Sequence, residues 1–253
     1  MKITDSVVRN GDRLFKWRSY APLVLLPILL VCLSETAKLL PLANDAWHHA
    51  YLLGCYVISG FGLFIRWAVI AQAPSGTSGR CTSHKIAEQL NTRGLYSAVR
   101  HPLYVGNFIA ILGIIMVTML WWAVLFFVLA YGLYIERIMA AEERFLEQKF
   151  GDEFLVWAQA TPAFFPSFKR WRPSPYPVTI RNILRREYHG VLAVAFSIAL
   201  LEFLVDVVFG GEPLLVWAQE DSLWLLLLTA SVVLYLLLRT LKKKTSLLDN
   251  PLV

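Results

Sequence analysis

Six stretches of predominantly apolar residues dominate the sequence, and they restrict the fold more than any other feature. They cover residues 20–40, 47–71, 103–118, 120–138, 188–209 and 222–239. A helix needs about 20 mostly apolar residues to cross the hydrocarbon core of a bilayer. Every backbone polar group in lipid must be satisfied internally, so these stretches predict an all-α polytopic membrane protein with about six transmembrane helices.

We treat residues 1–253 as a single integral membrane domain. Residues 1–72 are expected to hold the first membrane helices, residues 73–170 a core, and residues 171–253 a proline-rich connector and two further helices. The third and fourth stretches are joined without a polar loop, which predicts a tight helical hairpin whose tip need not cross the membrane completely. Small residues on its first limb, Gly106, Ala110 and Gly113, are predicted to allow close helix packing.

The fourth helix is predicted to extend beyond the membrane. Helical spacing of apolar residues continues from about residue 133 to residue 160, and Gly151 is expected to interrupt it. This segment is charged, so it should leave the bilayer as a helical extension. We expect the extension to help form a cofactor site.

The placement of charge predicts how the chain is oriented. Basic residues crowd the N-terminus, residues 74–100, residues 140–187 and the C-terminal tail, whereas residues 210–221 contain three acids and no base. The positive-inside rule therefore places both termini, residues 74–100 and residues 140–187 in the cytoplasm. The formal charge of +6 is interpreted as attraction to an anionic membrane face rather than to nucleic acid. We predict no cleaved signal peptide, and the oligomeric state stays open.

Neither the cysteines nor the acids of the fifth stretch predict a metal site. Cys32, Cys55 and Cys81 show no metal-binding spacing. Glu202 and Asp206 are four residues apart near the end of the fifth stretch. They are predicted to be solvated at the membrane interface, with a proton or ion relay as the alternative.

Two polar groups are predicted to meet at the cytoplasmic surface. One is the run from Asn91 to Tyr104, which enters the third helix. The other leaves the fourth helix and consists of Glu136, Arg137, Glu142 and Glu143. Pro102 suits a first helical position, and the helix start with Arg100 beside it favours an anion. The glutamates, with tyrosines nearby, favour a cation. Together these groups predict a ligand that carries both charges.

Two sequence motifs occur in order within about residues 50–170. The first, G-x-Y-x-x-x-R-H-P-x-Y-x-G, is formed by Gly94, Tyr96, Arg100, His101, Pro102, Tyr104 and Gly106. The second, E-E-x-x-L followed by F-G-x-x-(Y/F), is formed by Glu142, Glu143, Leu146, Phe150, Gly151 and Phe154. In these motifs the chain resembles the isoprenylcysteine carboxyl methyltransferase and phospholipid methyltransferase superfamily.

The resemblance implies an S-adenosylmethionine-dependent methyltransferase with its cofactor at the cytosolic mouth of the hairpin and a lipid acceptor in the bilayer. The cofactor-binding positions that it implies are Gln89, Leu90, Asn91, Gly94, Tyr96, His101, Pro102, Leu103, Tyr104, Glu142 and Glu143. The residues assigned to the reacting centre are Arg100, His101 and Arg137. The stretch "SGTSGR" at residues 75–80 follows a membrane helix, so it is interpreted as a flexible loop.

One departure from the family pattern concerns the methyl acceptor. Prenylcysteine enzymes of this superfamily have an arginine four residues before the first glutamate, and this chain has Ile138 there. The sequence looks more like bacterial enzymes that methylate lipid head groups, including lipid A phosphate methyltransferases, so an anionic phosphate oxygen is the expected acceptor. Three alternatives remain: a prenylcysteine carboxyl methyltransferase, an NADPH-dependent sterol-type reductase, and a non-catalytic scaffold or transporter.

Overall fold

The computed structural model describes residues 3–17, 20, 24–39, 45–72 and 87–248, and in this part of the chain all regular secondary structure is helical. The predicted all-α fold is therefore confirmed. The loop predicted at residues 75–80 and Cys81 lie outside the described residues. The longer helices are α1 (Ile3–Trp17), α2 (Leu26–Leu39), α3 (Asp45–Ala71), α4 (Pro102–Met116), α5 (Trp121–Phe150), α6 (Asp152–Ala160), α7 (Ile180–Phe203, continued by a π-helical segment Leu204–Phe209), α8 (Leu214–Glu220) and α9 (Ser222–Lys244).

Four of the described helices are long and apolar enough to cross a membrane, as expected for an integral membrane protein. They cover Ala46–Ala71, Trp121–Phe150, Ile180–Phe209 and Ser222–Lys244. Helices α2 and α4 have 14 and 15 residues. At 1.5 Å per residue each rises only about 22 Å, less than the roughly 30 Å of a hydrocarbon core. The short first limb of the hairpin agrees with expectation, but the count of six full spans is not confirmed.

Helices α3 and α4 pack closely through their small residues, as predicted. A Cβ atom at Gly62 would collide with the backbone of Ala110, and one at Gly113 would collide with Ser59. The Ser59 hydroxyl donates a hydrogen bond to the Ala110 carbonyl at 2.9 Å. Gly106 likewise lies against the backbone of Gly62. This contact fixes the start of α4, which carries the first motif, against the end of α3.

The antiparallel course of the helices gives the bundle two ends. At one end the Thr179 amide donates to the Ala71 carbonyl at 2.9 Å, which brings the start of α7 to the end of α3. The start of α4 and the end of α5 lie at this same end, which we call the motif end. At the other end, which we call the opposite end, the Tyr51 hydroxyl donates to the Met116 carbonyl at 2.8 Å.

The helices on either side of the connector extend beyond the apolar stretches. Helix α5 runs without interruption to Phe150, and Gly151 with φ of 53° separates it from α6, so the predicted helical continuation and its break at Gly151 are confirmed, whereas its exit from the bilayer stays a prediction. Helix α7 begins at Ile180, although the apolar stretch begins at residue 188. Hydrophobicity marks only the lipid-facing part of a helix, and the first two turns of α7 are polar because they face the motif end.

Candidate active site

The segment that carries the first motif is held by backbone hydrogen bonds to the connector. Gly94 has φ of 60°, a conformation that favours glycine, and its amide donates to the Arg172 carbonyl at 2.8 Å. The Ser97 hydroxyl donates to the Gly94 carbonyl at 2.7 Å and accepts from the Arg172 amide at 3.0 Å. The turn at Gly94 is thus fixed by residues almost 80 positions later in the chain, rather than by local sequence alone.

The residues after α6 form a second support for the motif. The Arg100 amide donates to the Pro162 carbonyl at 2.8 Å, and the His101 amide donates to the Ala163 carbonyl at 3.2 Å. These bonds orient the two side chains just before Pro102 begins α4. The stretch "ATPAFFP" therefore holds the backbone of the first motif in place.

The Arg100 side chain connects the start of α4 to the end of α5 and to α6. Its Nε atom donates to Glu143 Oε1 at 2.8 Å. Its Nη1 atom donates to the carbonyls of Ala158 and Thr161, both at 2.7 Å. An arginine has five N–H donors, so these bonds use a large part of its capacity within the protein. The geometry makes Arg100 an organiser of the cluster.

His101 lies between the two glutamates of the second motif. Its Nε2 atom is 3.0 Å from Glu143 Oε1, and its Nδ1 atom is 3.4 Å from Glu142 Oε2. The side chain is 6% exposed, whereas those of Glu142 and Glu143 are 28% and 25% exposed. Burial by itself would lower the pKa of His101, but hydrogen bonds and charge interactions with both glutamates outweigh burial and raise it above its usual range. The cluster therefore favours a protonated histidine.

Two tyrosines of the first motif flank this cluster. The Tyr104 ring stacks on the His101 ring with 5.6 Å between centroids. Burial, followed by the Glu142 carboxylate, raises the pKa of Tyr96, and the positive charges of Arg186 and Arg66 oppose that rise. The phenol of Tyr96 consequently stays neutral and lies within electrostatic reach of both an acid and two bases.

An open pocket adjoins the cluster on the side of Tyr96. Its wall includes Gln89, Leu90, Asn91, Gly94 and Tyr96, all of which are positions that the resemblance assigns to the cofactor. The end of α3 and the connector complete the wall through Gln72 and Tyr176, and Gln89 Nε2 donates to the Tyr176 hydroxyl at 3.1 Å. The structure thus brings the first predicted group and Glu142 together around Tyr96.

Sequence reasoning missed a buried ion pair beside the site. Arg66 in α3 donates from Nε and Nη2 to the two carboxylate oxygens of Glu187 in α7, at 2.9 and 2.7 Å. Its Nη1 atom donates to Asn107 Oδ1 in α4 at 2.6 Å. Glu187 is 3% exposed. A lone arginine within an apolar stretch was the available signal, since such residues need a partner inside the protein.

Comparisons with known proteins agree with this geometry. The family model for phospholipid methyltransferases matches residues 49–153. The core of this chain matches the phospholipid methyltransferase family. The match confirms the resemblance predicted from the motifs, and methyltransferases of this family use S-adenosylmethionine as the methyl donor.

Curated relatives include proteins of two descriptions. The cobalt-zinc-cadmium resistance protein CzcN of Cupriavidus metallidurans is 35% identical over 115 residues, or 45% of this chain and 53% of the relative. The protein-S-isoprenylcysteine O-methyltransferase of Schizosaccharomyces pombe is 28% identical over 173 residues, 64% of this chain and 71% of the relative. The Arabidopsis thaliana isoenzyme B is 33% identical over 118 residues, covering 43% and 59%. The chain spans about half the length of the resistance protein. No solved structure matches this chain.

The other predicted site residues, Pro102, Leu103 and Arg137, lie at different distances from the cluster of His101, Glu142 and Glu143. Pro102 is buried and starts α4, and Leu103 follows it in the first helical turn. Arg137 lies on the same helix as Glu142, five residues earlier, which places it about 140° away around the helix axis. Its recorded side-chain hydrogen bond goes to the Leu133 carbonyl of that helix. The backbone of Arg137 packs against Gly11 of α1.

Proposed function

We propose that this chain is an S-adenosylmethionine-dependent methyltransferase that acts on a lipid substrate at the motif end. The observation that supports it most directly is the arrangement of His101 between Glu142 and Glu143, with Tyr96 joining this cluster to an open pocket. The family match over residues 49–153 includes the whole first motif and the second motif as far as Gly151.

The residues present fit the cationic part of the cofactor. The only recorded side-chain contact of Glu142 among the described residues is the 3.4 Å approach to His101, which leaves its carboxylate able to accept further hydrogen bonds. A carboxylate beside the Tyr96 and Tyr104 rings attracts a sulfonium or an ammonium group. The amide side chains of Gln89 and Asn91 add donors and acceptors along the pocket wall.

The start of α4 fits the anionic part. Pro102 occupies the first helical position, and the positive end of the helix dipole lies there, so the first turn with Leu103 favours a carboxylate. Arg100 is committed to Glu143 and to carbonyl groups. We therefore assign Arg100 to positioning the cluster, while His101 and the glutamates face the ligand.

The chemistry requires alignment more than proton transfer. Bound S-adenosylmethionine supplies an activated methyl group for an in-line displacement. The cluster would hold the donor in one orientation, and the surrounding apolar helices would keep water from the reacting atoms. A phosphate or carboxylate oxygen is already anionic near neutral pH, so such an acceptor needs no general base.

For the acceptor we propose an anionic oxygen of a lipid head group, such as a phosphate of the lipid A type, at the cytoplasmic face of a bacterial inner membrane. Arg186 acts electrostatically on Tyr96, and exposed Arg93 lines the pocket, so two basic residues contribute positive charge near it. Arg137 is a further candidate to contact a head group. Ile138, one helical turn before Glu142, is fully buried in an apolar cluster and cannot hold a carboxylate.

A prenylcysteine carboxyl group is the second candidate acceptor. The relatives from Schizosaccharomyces pombe and Arabidopsis thaliana carry the name protein-S-isoprenylcysteine O-methyltransferase. Both acceptors place an anionic oxygen next to an apolar chain, so the same site would suit either. The fraction that receives the methyl group distinguishes them.

The test is methyl transfer from radiolabelled S-adenosylmethionine in membranes that contain the full chain. We compare the wild type with Glu142→Gln, which removes the charge with little change in volume, and with Glu136→Gln. Glu136 lies on the same helix but is exposed and about 120° away from Glu142, so it is the matched control. Lipid and protein fractions are then separated.

Label in lipid that is lost in Glu142→Gln and retained in Glu136→Gln supports the head-group proposal. Label in protein with the same dependence replaces it with the prenylcysteine acceptor. If neither fraction is labelled and calorimetry detects no S-adenosylmethionine binding, the methyltransferase proposal is wrong. A parallel NADPH titration tests the reductase, and transport that survives Glu142→Gln would favour a transporter.

A further inference from the structure

A second polar cluster lies at the opposite end of the bundle. Glu202 ends α7, Asp206 lies in its π-helical continuation, and Asp221 immediately precedes α9. One carboxylate oxygen from each residue lies within 4.8 Å of those of the other two. Glu202 follows Glu187 by 15 residues (202 − 187), so about 22 Å of helix separates this cluster from the motif end.

The charged groups around these three acids are mostly other acids. Asp206 interacts with Glu212 and Glu220 as well as with Asp221. The basic groups recorded beside the cluster in the described chain are two histidines and no lysine or arginine. They are His48, whose Nε2 atom is 3.5 Å from Glu202 Oε2, and His49, which interacts with Asp221.

Glu202 is the most deeply buried member of the cluster. Its side chain is 3% exposed, and its Oε2 atom has no hydrogen-bond partner among the described residues. Asp221 is buried as well. Burying a carboxylate without a partner is costly, and neighbouring carboxylates repel one another. The interfacial solvation predicted for Glu202 is therefore wrong, because its side chain is buried beside His48 of α3, Asp206 and Asp221.

We propose that Glu202, Asp206 and Asp221 form a binding site for a divalent cation. Three oxygens that are at most 4.8 Å apart lie at most about 2.8 Å from their common centre, which exceeds metal–oxygen distances of roughly 2.0–2.6 Å by no more than about 0.2–0.8 Å. Small rotations of the side chains close that difference.

The ligand set narrows the class of metal. Three carboxylate oxygens suit a hard divalent cation such as Mn²⁺ better than Mg²⁺, which keeps most of its water. His48 Nε2, 3.5 Å from Glu202 Oε2, would hold that carboxylate in place from outside the ligand set. The site is independent of the proposed methyl transfer, which takes place at the other end of the bundle.

The test measures metal binding directly. The full chain is reconstituted in lipid nanodiscs, stripped with a chelator and titrated with Mn²⁺, and free Mn²⁺ is quantified by electron paramagnetic resonance. We expect one tightly bound ion per chain, displaced by Zn²⁺, and an affinity at least about tenfold lower in Glu202→Gln. The control is Glu35→Gln, because Glu35 is an exposed acid on α2 that pairs with Lys38 at 2.7 Å.

A second measurement guards against a folding defect in the variant. Mn²⁺ should raise the melting temperature of the wild type and of Glu35→Gln, but not that of Glu202→Gln. If Glu202→Gln does not give a monodisperse helical protein, half-buried Asp206 is replaced instead, as Asp206→Asn. Absence of a tightly bound ion in the wild type would mean that the carboxylates are neutralised by protons, and the proposal would be wrong. Equal binding by wild type and variant would also overturn it. Neither result depends on methyltransferase activity.

Discussion

The two ends of the bundle both contain buried or half-buried carboxylates, but they compensate for them differently. At the motif end Glu143 contacts Arg100 and His101, and Glu187 accepts hydrogen bonds from both Nε and Nη2 of Arg66. At the opposite end the carboxyl group of Glu202 faces other acids and His48. Where basic residues of the chain neutralise the buried carboxylates, the cluster is already positioned for a ligand. Where the described residues supply no such base, a proton or a bound ion has to neutralise the negative charge.

Breaking the buried ion pair between Arg66 and Glu187 should produce the largest loss in the free energy of unfolding. Glu187→Ala leaves Arg66 buried without its carboxylate, and removing one partner of a buried ion pair costs about 3–5 kcal/mol. Unfolding in mixed detergent micelles measures the loss. The control Glu35→Ala removes an exposed pair and should change stability by less than about 0.5 kcal/mol.

The double variant Arg66→Met with Glu187→Leu separates unpaired charge from lost packing. Two apolar side chains of similar length remove both charges together, so most of the stability lost in Glu187→Ala should return. A double variant that is as unstable as the single one would show that the ion pair contributes through packing. It would also weaken the contrast between the two ends.

Removing the negative charge of Glu143 at the motif end should cause an intermediate loss in the free energy of unfolding. Glu143→Gln keeps the volume of the side chain but removes the charge that Arg100 and His101 share. A hydrogen bond to a charged group is worth about 1.5–3 kcal/mol, so we expect a loss of that order. The control Glu136→Gln on the exposed side of the same helix should be neutral. A neutral Glu143→Gln would mean that solvent already screens this cluster.

Local sequence patterns were sufficient to predict several helix boundaries and helix contacts at the motif end. The start of α4 at Pro102, the break at Gly151 and the small residues between α3 and α4 all follow from properties of a few neighbouring residues. The two motifs likewise indicated the family, because their spacing is fixed by one helical hairpin. These features need no knowledge of distant contacts.

Features that depend on distant contacts were not predictable in the same way. Arg66 and Glu187 are 121 residues apart, and neither position identifies its partner. Glu202 is buried beside residues that are distant in sequence, His48 of α3 and Asp221 before α9, whereas the apolar pattern indicates only that it lies near a helix end. Hydrophobicity also could not locate the start of α7, because its first two turns are polar.

Protonation of His101 makes the stability contributed by the motif end depend on pH. Its pKa is raised in the folded protein, since Glu142 and Glu143 outweigh burial. The folded state therefore holds the proton more tightly than the unfolded state, and this contribution is fully present below the unfolded pKa of about 6.5. It is lost as pH rises through the higher folded pKa, with a slope of at most about 1.4 kcal/mol per pH unit. Unfolding of the wild type and of His101→Gln across pH 6–9 measures it, and equal slopes would contradict the prediction.

Removing a negative charge at the opposite end should give the smallest change in the free energy of unfolding. It should stabilise the protein slightly, whereas the changes at the motif end destabilise it. In the presence of a chelator, Glu202→Gln removes one member of a cluster whose described neighbours are mostly acids, so repulsion falls and no ion pair with lysine or arginine is broken. We expect the metal-free variant to match the wild type in stability or to exceed it by up to about 1 kcal/mol, since replacing an uncompensated buried charge is often neutral or stabilising. Glu143→Gln, measured in the same micelles, supplies the contrasting loss. If Glu202→Gln instead loses more than about 1 kcal/mol without metal, the carboxylate must be compensated within the protein, and the two ends would not differ in the way that the structure indicates.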